Sequence, residues 1–192
     1  MKTVGVLSLQ GDFAAHGAAL DRAGARPVYV REAAQLADLD GLILPGGESS
    51  TMLKLLRYDD LFDAVSEFGR RKPVFGTCAG AILLATHVHS PEQESLGLMD
   101  FDIERNAYGR QLDSRVAQIE PEAEFTGRAG AGNLEAVFIR APIIRNLGPK
   151  LNVLARYAGD PVLVEGGAHL AATFHPELTR DGRVHKLFLE KL

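Results

Sequence analysis

Four short apolar runs, each closing on a turn, constrain this chain more than anything else in its sequence. Val4 to Leu9 ends at Gln10-Gly11-Asp12, and Pro27 to Val30 follows Gly24. Gly41 to Leu44 is broken by Pro45-Gly46-Gly47, and Pro73 to Gly76 runs into Thr77-Cys78-Ala79-Gly80. None of the four alternates polar with apolar residues, as a strand with one wet face would. Unbroken apolar strands separated by helical segments are the mark of a parallel sheet covered on both sides. The intervening stretches read as helices. Asp12 is placed to cap one that runs to about Ala23. Glu48 suits the positive end of a second, through Leu56. Asp59 and Asp60 open a third through Phe68, and Ala81 to Ala85 forms a fourth. In such folds ligands bind beyond the carboxyl ends of the strands, where the glycine turns lie here.

The second half differs. Phe101 to Arg105, Val116 to Ile119, Ala136 to Ile139, Val153 to Arg156, Val162 to Val164 and Leu170 to Phe174 are strand-like with little helix between them. They predict antiparallel additions to the sheet or its edge. Glu120 to Asn133, rich in Gly, Ala and Glu, reads as a loop, and Arg180 to Leu192 as a closing helix. The expected architecture is α/β: a flavodoxin-like three-layer sandwich with a central, mostly parallel sheet. The 192 residues suit a single domain, 1–192.

Composition narrows the function classes. The net charge of −4 is a poor match to nucleic acid or an anionic membrane surface. No stretch approaches 18 uninterrupted apolar residues, and the N-terminus lacks a signal-peptide pattern. A single cysteine, Cys78, permits no internal disulfide, which suits a reducing cytoplasm. It also cannot build a cysteine-rich zinc site, so its chemistry would be nucleophilic.

Gly76-Thr77-Cys78-Ala79-Gly80 lies between an apolar strand and a helix. Small residues on both sides allow the tight turn that lifts a nucleophile out of a sheet. A helix N-terminus beneath a thiol favours the thiolate. A lone cysteine is more often a core residue, but this context reverses that reading. Such a nucleophile needs a base, and the base needs an orienting group. Phe174-His175-Pro176-Glu177 offers both at another strand end. Acyl transfer also needs oxyanion donors, and the backbone at Gly46-Gly47 and the Cys78–Ala79 turn can supply them. The other histidines compete less well. His16 and His185 fall in helical patterns and read as surface residues. His87 and His89 read as loop residues without a neighbouring carboxylate, too few ligands for a metal. His169 carries no signal of its own.

Together these residues resemble the class I, triad-type glutamine amidotransferases, and within them the glutaminase subunits of pyridoxal 5′-phosphate synthases. The resemblance rests on Gly5 to Gly11, Leu44 to Thr51, Phe75 to Gly80, Glu104-Arg105-Asn106 with Gly109-Arg110-Gln111, Phe138 to Pro142, and Phe174 to Thr179. These stretches span nearly the whole chain. The resemblance implies that Cys78 attacks the glutamine side-chain amide to form a glutamyl thioester. His175 would shuttle protons and Glu177 would orient it. Gly46 and Gly47 would carry the oxyanion peptide. Glu48, Ser49, Arg105, Ile139 and Arg140 would line the glutamine site, an arginine suiting the substrate carboxylate. Gln10 would face the partner, a synthase subunit of the PdxS type held in a hetero-oligomer and fed with ammonia. No cofactor and no metal are implied.

Ile82 stands where many class members carry Gln. That disfavours the purine, pyrimidine and carbamoyl-phosphate enzymes. The Gly/Ala-rich stretch Gly127 to Gly132 departs from the family pattern. The nearest rivals are the glutaminase subunit of the histidine pathway and flavodoxin-like Cys–His proteins of the stress-protein and peptidase group. The second typically lacks the His-Pro-Glu and arginine motifs together, and a non-catalytic relative would not need all three of Cys78, His175 and Glu177.

Overall fold

A computed structural model describes residues 1–106 and 114–192. The expected Gly109-Arg110-Gln111 motif lies outside the described residues. The four apolar runs form strands β1 (Thr3–Leu7), β2 (Arg26–Val30), β3 (Gly41–Leu44) and β4 (Val74–Thr77), all parallel, in the order β4-β3-β1-β2. The intervening helices are α1 (Phe13–Arg22), α2 (Ser49–Tyr58) and α3 (Leu61–Arg71), with α4 (Ala79–Leu84) after β4.

The reason for unbroken apolar strands is visible in β3. Leu42 and Leu44 enter one core, with Met52, Leu56 and Val65 from the helices on that face. Ile43 enters the other, with Leu20, Phe75 and Phe188. All three β3 side chains are fully buried. Alternate residues feed opposite layers, and both layers are dry.

The second half corrects the sequence reading in three respects. First, among the described residues only β10 (Asn152–Tyr157) and β11 (Asp160–Gly166) are antiparallel additions to the main sheet. β12 (His169–Ala172) pairs parallel with β4, which extends the parallel block to five strands. Second, the remaining strands leave the main sheet. β5 (Ala85–His89), β6 (Met99–Glu104) and β9 (Ile143–Arg145) form a small sheet of their own, and β7 (Ser114–Ile119) pairs with β8 (Leu134–Ile139) as a two-stranded ribbon. Third, the expected loop contains a helix, α5 (Ala123–Ala129), anchored by the fully buried Phe125. Alanine and glutamate favour a helix once an apolar anchor can be buried.

The chain ends in α6 (Arg183–Leu189), shorter than expected because Asp181 and the bonds it makes to Arg183 occupy the turn before it. Both outer strands of the main sheet are irregular or obstructed. β2 carries Pro27, and β10 shifts register between Val153 and Arg156, with its Ala155 bridged to Pro121. Among the described residues no helix is long and apolar enough to cross a membrane.

Candidate active site

The site forms where β4 ends. Cys78 has φ 47° and ψ −103°, a left-handed conformation that L residues seldom adopt. Its N–H donates to the Ala172 carbonyl of β12 at 2.8 Å, and its carbonyl accepts from the Ile82 N–H at 3.1 Å. The neighbouring strand and the next helical turn therefore hold the strained residue from both sides. Gly80 permits the turn. A Cβ there would overlap the Leu44 carbonyl of β3.

The adjacent parallel strand delivers the candidate base. Three residues beyond β12, the His175 N–H donates to the Val137 carbonyl of β8 at 2.8 Å. Pro176 begins a 3₁₀ turn, Pro176–Leu178, that folds Glu177 back beneath the ring. Glu177 Oε1 lies 2.7 Å from His175 Nδ1, and both side chains are almost wholly buried. That leaves Nε2 as the ring nitrogen available to the thiol.

Burial disfavours the imidazolium, but hydrogen bonds to Cys78 and Glu177 and their charges outweigh it and raise the His175 pKa to about 10. Burial pushes the Glu177 carboxyl up, and the bond from His175 pulls against it. The pair is therefore disposed to hold its proton on the ring.

The ribbon β7–β8 brings Ile139 and Arg140 over the elbow. The Cys78 Sγ lies 3.9 Å from the Ile139 carbonyl oxygen, and Arg140 turns the chain with φ 43°. A pocket of about 290 Å³ opens on the sulfur, walled by Gly47, Glu48, Ser49, Arg105, Ile139 and Arg140 among others. It is large enough for an amino acid. Every residue expected to line a substrate site meets there except Gly46, which sits one residue behind the wall, against the His175 ring. Sequence reading missed Asp12, Ile82 and Asn106 as lining residues.

Two expected residues are engaged with each other. Glu48 is the N-cap of α2, accepting from the Ser50 and Thr51 N–H groups and from the Thr51 hydroxyl. Slight burial opposes ionisation, but these bonds lower its pKa to about 2. Arg105 Nη2 donates to Glu48 Oε1 at 3.2 Å and to Ser50 Oγ at 2.7 Å. A guanidinium has five N–H donors, so this bracing leaves others for an incoming carboxylate. Gln10 is not free-standing either. Its Oε1 accepts from the Glu48 N–H at 3.1 Å while its amide lies against Gly47.

Asp12 does not cap α1 with its side chain. Its carboxylate instead lies 3.6 Å from His175 Nδ1, and its N–H donates to the Gly46 carbonyl at 3.2 Å. Asp12, His175 and Glu177 bring their ligand atoms within 4.8 Å of one another. The short Nδ1–Oε1 bond already occupies two of those atoms, so a cation there would have to break it.

The other histidines depart from expectation. His16 and His185 are fully buried rather than on the surface. His87 and His89 lie on β5, both within reach of Asp102 of β6 (2.9 and 3.5 Å), not in a loop without carboxylates. His169 opens β12 and accepts from the Val74 N–H at 3.2 Å.

Comparison with known proteins decides the family. The family model of the SNO glutamine amidotransferase family matches residues 6–192. The chain belongs to this family. It is 70% identical over its full length, and the full length of the relative, to the pyridoxal 5′-phosphate synthase subunit PdxT of Solibacter usitatus. It is 52% identical to that of Koribacter versatilis, across 97% of this chain and 94% of the relative. A crystal structure of a glutamine amidotransferase superposes with a TM-score of 0.88 at 47% identity, covering 98% of this chain and 97% of that one. The fold also extends to PurLQS of Thermotoga maritima, with a TM-score of 0.69 at 18% identity over 98% of both chains.

Proposed function

We propose that this chain is the glutaminase subunit of a pyridoxal 5′-phosphate synthase, hydrolysing L-glutamine to glutamate and ammonia for a separate synthase chain. One observation carries the reading: Cys78 on its elbow, His175 and Glu177 converge in a chain 70% identical throughout to a PdxT subunit.

The Cys78 thiolate attacks the side-chain carboxamide carbon. The oxygen becomes an oxyanion, received by backbone N–H groups at Gly46-Gly47 and the Cys78–Ala79 turn. His175 gives its proton to the leaving nitrogen, ammonia departs, and a glutamyl thioester remains. His175 then takes a proton from water, whose oxygen attacks the thioester, and returns it to the sulfur as glutamate leaves. Glu177 holds the ring by Nδ1 throughout. Arg105 and Arg140 receive the α-carboxylate, with Glu48 and Ser49 at the pocket wall. Gln10, linking the β1–α1 loop to the Gly47–Glu48 turn, senses the synthase subunit.

The deciding experiment is ammonia release from glutamine, with and without the synthase chain. Activity that rises with the partner and is abolished in Cys78→Ala supports the reading. Undiminished release by Cys78→Ala, or equal turnover with and without the partner, overturns it.

A further inference from the structure

Behind the Cys78–His175–Glu177 row lies a second, wholly buried pair of imidazoles that this chemistry does not use. His16 comes from α1 and His185 from α6, helices on the same face of the sheet. Their Nδ1 and Nε2 atoms are 3.0 Å apart. His16 Nε2 lies 3.0 Å from the Thr77 hydroxyl, next to Cys78, and 3.4 Å from Glu177 Oε2. Phe75 packs edge-on against both rings.

Hydrogen-bond accounting favours one pair of tautomers. Glu177 Oε2 and His185 Nδ1 are both buried without a hydrogen-bond partner of good geometry. If His16 carried its proton on Nδ1, its bare Nε2 would face the Glu177 carboxylate lone pair against lone pair. His185 would then hold an orphaned N–H on Nδ1, the costlier kind of unsatisfied group. The opposite assignment removes both problems. His185 donates from Nε2 to His16 Nδ1. His16 donates from Nε2 to Thr77 Oγ1, with Glu177 Oε2 3.4 Å from the same nitrogen, and His185 is left with a bare acceptor in place of an orphaned N–H. Both rings are held neutral, His16 by burial and by the nearby His185 and His175, His185 by burial and by Arg22.

We infer that His16, oriented by His185, is a positioning residue that sets an N–H beside the second oxygen of Glu177 and so extends the triad by two residues. The inference rests on the glutaminase reading for its consequence in turnover, though not for its geometry. A buried carboxylate with one oxygen on His175 is held charged more readily with the positive edge of an N–H near the other. Without one, Glu177 takes up a proton more readily, the imidazolium loses its counter-charge, and the Cys78 thiolate loses its partner in turn.

The test uses the full chain with its synthase partner and three readouts. Because Cys78 is this chain's sole cysteine, iodoacetamide alkylation counted on this chain reports on that thiol alone. In His16→Leu the pH midpoint of alkylation moves upward and kcat falls about tenfold to a hundredfold, with KM changed less than about twofold. His16→Gln, whose amide N–H sits near the Nε2 position, restores both to within about threefold. Nitrogen NMR of the labelled, unmodified chain shows His16 and His185 as neutral Nε2–H tautomers at pH 7. An Nδ1–H tautomer at His16 overturns the inference. So does a folded His16→Leu whose alkylation profile and kcat are those of the parent. An alkylation shift in a chain that releases no ammonia from glutamine upholds this inference while refuting the glutaminase reading.

Discussion

The α-carbon of Gly46 faces the imidazole of His175 so closely that no side chain fits between them. A Cβ on Gly46 would come within 2.9 Å of Nδ1 and nearer still to Cε1. The Gly46–Gly47 turn and the His175 ring, the proposed oxyanion donor and base, are thus in mutual contact, and neither can move without the other. Gly46→Ala therefore displaces the ring from both Cys78 and Glu177. A shift of about 1 Å at reacting atoms costs on the order of a hundredfold in rate. We expect kcat of the complex to fall by that order with the thermal midpoint little changed, as checked by ammonia release beside calorimetry. Near-normal turnover would show that the ring has room the structure does not display.

Glu177→Gln keeps the shape of the orienting group and removes its charge. The 2.7 Å bond to Nδ1 is then made by a neutral amide, and the raised pKa of His175 falls. Losing the orienting carboxylate in an analogous triad costs about 10⁴ in kcat. We expect a loss of about a thousandfold or more, measured by single-turnover ammonia release.

The neutral buried histidines make stability acid-sensitive. His185 has its pKa lowered from 6.5 to about 4, and that of His16 lies well below 6.5. In the unfolded chain both bind protons near pH 6.5. Between about 4 and 6.5 the unfolded state therefore holds more protons than the native state, and stability rises with pH. The contribution is complete above 6.5 and is lost as pH falls toward 4. For His185 the displacement corresponds to about 3 kcal/mol. Urea titrations at pH 7 and pH 5 should give a lower midpoint at pH 5. A His185→Leu chain should narrow the gap, and an unchanged gap would place the acid sensitivity elsewhere.

Phe125 anchors α5 in the core that also holds Leu134, Phe138 and Leu154. Phe125→Ala should cost about 3–5 kcal/mol by urea denaturation. The β7–β8 ribbon, which supplies Leu134 and Phe138 to that core, carries Ile139 and Arg140, so KM for glutamine should rise in that variant. A cost below about 1 kcal/mol would mean that α5 is a surface appendage.

What the sequence made legible was short-range or carried by motif. β1 to β4 could be read because each is a dry run ended by a turn, and the elbow because five adjacent residues define it. The pairing of Glu177 with His175 followed from a spacing of two residues. What escaped was decided at long range. Nothing local distinguishes a strand that extends the main sheet, such as β12, from one that leaves it, such as β6. The helix at Ala123–Ala129 is obscured by Gly127 and the glycines that follow it, although Phe125 among good helix formers is a usable sign. His16 reads as exposed in the sequence because it is a polar residue in a helical pattern. Its spacing of four from the buried Leu20 puts both on one helix face, and His185 stands in the same relation, three residues from Phe188. Asp12 looked like a cap because its type and place fit one, and only the fold reveals that His175 lies within its reach.

The obstructed margins of the seven-stranded sheet have a consequence for assembly. Pro27 removes a backbone donor from one margin, while the shifted register of β10 and its bridge to Pro121 distort the other. Open margins invite a neighbouring chain to continue the ladder, with little regard for what that neighbour is. Here that indiscriminate mode of joining is disfavoured at both ends. Recognition must then fall to side chains on the faces and loops, where shape and charge discriminate between one associate and another.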